Sequence, residues 1–138
     1  MIQVSATHQM RIDSEDDIVR VRQRVRSIAE LKKFDPFATA ALTTAASELA
    51  RNALVHGGHG IASIQEITDG YRLGLRIVFS DEGPGIADVP RVLAGREATG
   101  GSTGGFGLSG SRRLVDELDI ESTRGAGTRV TVTKWKRS

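Results

Sequence analysis

Seven of the chain's 16 glycines lie between Gly95 and Gly110. That is too many for a packed helix or strand, because each glycine loses the most backbone freedom on ordering and brings no side chain to bury. The run is a loop, and it either tethers what flanks it or folds around a ligand. The packing must come from the segments on either side, and their hydrophobic spacing shows how.

IQVSATHQMRI (2–12) reads as an opening strand. It is followed by an amphipathic helix over 14–31, with Ser14 as its N-cap and Ile18, Val21, Val25 and Ile28 at helical spacing. A second, alanine-rich helix begins at Asp35-Pro36, an N-cap followed by a proline at the first helical position, and stops at GGHG (57–60). IASIQEI and YRLGLRIVFS flank Thr68-Asp69-Gly70 as a hairpin, and Leu73, Leu75, Ile77 and Phe79 alternate along its second strand. LSGSRRLVDEL (108–118) offers Leu108, Leu114, Val115 and Leu118 to one face of a third helix. LDIEST, the turn RGAG and TRVTVTKW close the chain as another hairpin. Helices and mostly antiparallel strands in this order predict a two-layer α/β sandwich with helices on one face of the sheet. At 138 residues the expectation is a single domain, 1–138.

Composition excludes several classes. No apolar run approaches the roughly 20 residues of a membrane helix. Cysteine is absent and MIQVSATHQM lacks a leader pattern, which points to the cytoplasm. The net charge is only +2, and the basic residues are spread without a stripe, so nucleic acid is not an expected partner. His56 and His59 have no third ligand at useful spacing and read as a helix end rather than a metal pair. Arg51 and Arg112-Arg113 are either solvated helix surface or contacts to phosphate or a partner.

Three features carry chemistry. GFGLSG (105–110) matches G-x-G-x-x-G, but no strand directly precedes it as the dinucleotide fingerprint requires, and the lysine of the ordinary phosphate loop is missing. What remains is a glycine-rich segment opening a helix, where exposed N–H groups favour anions. In SELARN (47–52), Glu48 and Asn52 stand one helical turn apart on one face. The carboxylate there can accept a proton, and the amide oxygen can hold Mg²⁺. In DEGPGI (81–86), Asp81 ends a strand where its carboxylate can accept from an exocyclic amine, and Gly83 and Gly85 let a flat ring lie against backbone.

SELARN, DEGPGI, GGFGL and GAGT stand in the order and spacing of the four sequence boxes of the GHKL (Bergerat-fold) ATPases. LTTAASELARN, DEGPGIADV and the ending GTRVTVTKW, together with the small size, resemble the RsbT-type anti-sigma serine/threonine kinases over essentially the whole chain. The resemblance implies an α/β sandwich that binds ATP and Mg²⁺ between helices and a glycine-rich lid covering Gly95 to Thr103. It implies Glu48 as catalytic base, Asn52 as Mg²⁺ ligand, Asp81 as adenine reader, and Gly83 and Gly85 as the turn beside the ring. Gly105, Gly107 and Leu108 would meet the phosphates, and Thr128 would support the adenine side. The implied reaction moves the γ-phosphoryl of ATP to a Ser or Thr of a STAS-domain antagonist in a stress-response partner switch, with a downstream phosphatase or sigma-factor regulator as further partner. The alternative is an ATP-dependent anti-sigma factor that sequesters a sigma subunit. Dimerisation stays open.

Overall fold

Three acidic residues, Glu15, Asp16 and Asp17, open the first helix α1 (Glu15–Leu31), where they meet the positive end of its dipole. The computed structural model describes residues 1–86, 89–90 and 107–137. Ser14 occupies the N-cap position, but its hydroxyl makes no capping bond. Asp17 instead ties the incoming chain to the first turn, accepting the Asp13 N–H at 2.8 Å. The buried stripe of α1 is the expected one, Ile18, Val21, Val25 and Ile28, with Ala29 added.

Helix α2 (Pro36–Val55) starts as its sequence predicts, with Asp35 accepting from the Ala38 N–H at 2.8 Å. Its buried face carries Ala45, Ala46, Ala50 and Ala53 between Leu42 and Leu49. Such small side chains let α2 lie close to both α1 and the sheet. Each fully buried leucine contributes about 1.5 to 3 kcal/mol on top of that close fit.

The strands are β1 (Gln3–Ile12), β2 (Gly60–Thr68), β3 (Leu73–Asp81), β4 (Glu117–Thr123) and β5 (Gly127–Trp135). They form one sheet in the order β1-β2-β3-β5-β4, antiparallel throughout, so the hairpin strand β5 inserts between β3 and β4. In register across the sheet, Ile64 faces Ile77, Ile77 faces Val132, and Val132 faces Leu118. This row joins Ala62, Phe79 and Val130 in the core shared with α1 and α2, so the expected two-layer sandwich forms with helices on that face. The other face buries Ile67 and Trp135 without helical cover. There the Trp135 ring lies over Gly74, and the Arg72 guanidinium stacks 4.2 Å from the ring centroid.

The third helix, α3, is shorter than expected, Leu108–Leu114 rather than 108–118. Pairing with β5 captures the residues after Leu114. Asp116 donates its N–H to Thr133 O at 2.9 Å and accepts the Trp135 N–H at 2.7 Å, and Leu118 becomes an inward residue of β4. Among the described residues no helix is long and apolar enough to cross a membrane. The expected lid, Gly95 to Thr103, lies outside them, and so does Gly105.

Candidate functional site

The last turns of α2 face the C-terminal end of β3 and the start of α3, leaving a narrow cleft between them. Leu49, Ala53, Phe79, Ile86, Leu108 and Val130 make its walls apolar, and Asn52, His56, Asp81 and Thr128 supply the polar groups. An apolar slot with a few convergent polar atoms is the usual form of a small-molecule site.

Asp81 reaches the cleft because the alternation of β3 turns Leu75, Ile77, Phe79 and then Asp81 to the helical side. Its Oδ1 accepts the Gly83 N–H at 2.9 Å. Burial pushes the Asp81 carboxyl above its ordinary value, against the opposing pull of the Gly83 and Thr128 N–H groups and the nearby imidazoles of His56 and His59. Thr128 sits directly opposite Asp81 in the β3–β5 register. Its hydroxyl lies 2.9 Å from the Ser122 hydroxyl, which also accepts the Ile86 N–H at 2.7 Å and stands 3.2 Å from Gly127 O. When Ser122 donates to Gly127 O, Thr128 donates to Ser122 and keeps its lone pairs for the cleft.

The DEGPGI segment curls back from β3 and is tied to the β4–β5 turn by Gly125 N–H donating to Pro84 O at 2.7 Å. Gly85 lines the cleft with φ +79, and a Cβ there would lie 2.4 Å from Thr123 O. Only glycine fits that crossing. Gly83 stands behind Asp81 rather than on the cleft wall.

Asn52 lines the cleft from α2. Glu48, one turn earlier, is exposed and does not line it. Its carboxylate abuts Gly107, the N-cap of α3 at φ +65, where a Cβ would lie 2.6 Å from Glu48 Oε2. Leu108, the next residue, is buried and completes the wall. The structure thus brings together Asn52, Asp81, Gly85, Leu108 and Thr128, and sets Glu48 against Gly107 beside Leu108.

Two residues given no role in the sequence reading belong here as well. His56 lines the cleft, with burial lowering its imidazole pKa against the opposing charge of Asp81. Ser122 is the hinge of the hydrogen bonds that join Ile86, Gly127 and Thr128, and only the β4–β5 register brings it there. Arg51 is held on the surface by Glu15 of α1 at 3.2 Å.

The donor set suits a nucleotide. Ala53 and Gly85 line the cleft together with the Asp81 acceptor. Among the described residues no group of three His, Cys, Asp or Glu side chains could hold a metal ion by itself.

Residues 13–134 match the histidine kinase-like ATPase domain family. The serine/threonine-protein kinase RsbT of Bacillus subtilis is 41% identical over 128 residues, covering 93% of this chain and 96% of that protein. An anti-sigma F factor of Thermoanaerobacter sp. (strain X514) is 33% identical over 99 residues, 68% of each chain. In three dimensions the fold resembles the RsbU and RsbW domains of Rv1364c from Mycobacterium tuberculosis, with a TM-score of 0.68 and 20% identity, over 97% of this chain and 34% of that one. With the family match over residues 13–134 and this identity along nearly the whole of both chains, the chain belongs to the histidine kinase-like ATPase family, in the branch of the RsbT serine/threonine kinases.

Proposed function

We propose that the chain transfers the γ-phosphoryl group of Mg²⁺·ATP to a serine or threonine hydroxyl of a STAS-domain antagonist, in the cytoplasm, as one step of a bacterial partner switch. The observation that carries this reading is the division of labour along α2 and β3. Asp81 lies in the apolar part of the cleft, while Asn52 and Glu48 follow one another along α2 toward the N-terminal end of α3. The 41% identity to a serine/threonine kinase along nearly its full length supports the same assignment.

In this reading Asp81 accepts the adenine amine, Thr128 supports that side, and Gly83 and Gly85 shape the turn beside the ring. Gly105, Gly107 and Leu108 meet the phosphates. Asn52 would hold Mg²⁺, which when bound would supply charge neutralisation at the phosphate oxygens. Glu48 takes the proton of the acceptor hydroxyl as that oxygen bonds to the γ-phosphorus, the bond to the bridging oxygen breaks, and ADP departs. Positioning and charge neutralisation provide most of the acceleration in such a transfer, and the base adds to it.

Single-turnover transfer from labelled ATP to STAS proteins of the same genome tests the reading. Glu48→Gln should leave ATP affinity nearly unchanged and slow transfer by about 10²- to 10⁴-fold, with the lower end favoured if positioning dominates. Asn52→Ala should weaken Mg²⁺-dependent nucleotide binding as well as transfer, and affect Mg²⁺-free binding less. The likeness to anti-sigma F factors supplies the competing reading, a clamp that uses ATP to hold a sigma subunit. Transfer by Glu48→Gln at the wild-type rate would mean that Glu48 is not the base, and absence of transfer by the wild type would favour the clamp.

A further inference from the structure

We propose that Gly57, in the turn that ends α2, is the positioning residue for the adenine-reading carboxylate and thereby a determinant of base specificity. The proposal rests on the reading of Asp81 as the acceptor of the adenine amine. Gly57 lies in none of the four motifs, and from sequence alone GGHG is only a helix stop.

Termination of α2 does not explain a glycine at 57. The left-handed residue of that turn is Gly58, at φ +84, and its N–H closes the helix on Leu54 O at 3.0 Å. Gly57 has no positive φ, and its N–H donates to Asn52 O at 3.3 Å as any residue's would. Space is what demands glycine here. A Cβ on Gly57 would lie 2.4 Å from Asp81 Cγ, 2.5 Å from Asp81 Cβ and 2.6 Å from Ala53 O. Bare backbone of α2 is thus pressed against the carboxylate.

A second glycine stands against the same side chain, and a third against its backbone. A Cβ on Gly83 would fall 2.6 Å from Gly57 Cα and 3.1 Å from Asp81 Oδ1. A Cβ on Gly127 would fall 2.2 Å from Asp81 O. With backbone on these sides, Asp81 has one place to stand, and the Gly83 N–H fixes its rotation at 2.9 Å. A methyl group at 57 would meet Asp81 Cγ, Asp81 Cβ and Ala53 O at once, so the turn and the Asp81 side chain must both give, and the carboxylate leaves its place. Hydrogen bonds weaken steeply with small changes of distance and angle, so that displacement removes the base contact while leaving the apolar slot in place. The same contact links the adenine end of the cleft to α2, the helix that carries Asn52 and Glu48.

Inosine triphosphate is the probe, since it carries a carbonyl oxygen where ATP has its amine and so has no donor at that position, its N1–H lying one ring atom away. Wild-type protein should bind ATP about ten- to a hundredfold more tightly than inosine triphosphate by calorimetry. Gly57→Ala should bring that ratio close to one by weakening ATP alone. Gly110→Ala, whose Cβ would meet nothing within 4 Å, should keep the wild-type ratio. In an Asp81→Asn background, Gly57→Ala should change the ratio no further.

A wild-type protein that fails to discriminate would overturn the reading of Asp81 itself. Wild-type discrimination that survives in Gly57→Ala would overturn the role of Gly57 alone, and so would an equal loss of affinity for both nucleotides. Should Gly57→Ala not fold, the wild-type amide spectrum gives the answer: the Gly57 signal should shift with ATP and stay in place with inosine triphosphate. Equal shifts with both, or none with either, would overturn the proposal.

Discussion

Asp81 is held between two opposed demands. A carboxylate facing an apolar slot is disfavoured in its charged form, yet it must be charged to be the strongest acceptor for an amine. Burial prevails over its N–H donors and neighbouring imidazoles, and its pKa rises. A carboxyl with a raised pKa gives its full contribution to stability below its ordinary value of 3.8, and that contribution is lost as pH rises through the folded value. Burial therefore opposes the charged form, and Asp81→Asn should melt at or above the wild-type temperature at pH 7. Its affinity for ATP should fall about ten- to a hundredfold. Thermal melting and calorimetry on one sample check both halves, and a melting temperature several degrees lower would mean that the bonds to Asp81 outweigh its burial. The position of Asp81 was legible because alternation along β3 fixes its face. That of His56 was not, since a residue at a helix end has no periodic partner to reveal what it turns toward.

At the level of elements, local signals held where the chain satisfies its own backbone and failed where a distant strand does so. The Asp35-Pro36 start of α2 and the stripe of α1 need only neighbours in sequence, and they formed as read. The end of α3 depends on β5, some 20 residues away, whose Thr133 carbonyl takes the Asp116 N–H. Burial of Trp135 on the helix-free face was equally hidden, because it needs Gly74 opposite in register. Two glycines show how differently elements use the same residue. Gly85→Ala forces a methyl group onto Thr123 O from a left-handed backbone and should destabilise by about 1 to 3 kcal/mol or more. Gly110→Ala, inside α3 with open space around it, should stabilise by about 0.5 to 1 kcal/mol. Urea titration of both variants checks the contrast, and equal effects would mean that the close approach at Gly85 relaxes at little cost.

Across the whole molecule, one carboxylate ties together parts that the core alone would let slide. Glu66 of β2 accepts from Lys32 at the end of α1 at 2.7 Å, and its other oxygen lies 2.7 Å from His8 Nε2 on the edge strand β1. The three groups join helix layer, inner strand and edge strand at the end of β2 away from Gly60, where the strand leaves the nucleotide cleft. The hydrogen bonds from His8 and then Lys32 hold the Glu66 carboxyl below its ordinary value of 4.5. A carboxyl lowered in this way contributes stability that is fully present above 4.5 and lost as pH falls through the folded value. Glu66→Gln should therefore cost about 1 kcal/mol at pH 7, a modest figure because solvent reaches part of the cluster. The gap to wild type should narrow steadily as pH drops below 4.5. Because the tie lies away from the cleft, ATP affinity at pH 7 should stay at the wild-type value. Chemical denaturation across pH, beside one nucleotide titration, separates the outcomes: a pH-independent gap would assign the loss to shape rather than charge, and a fall in ATP affinity would show that the far end of the sheet is coupled to the site.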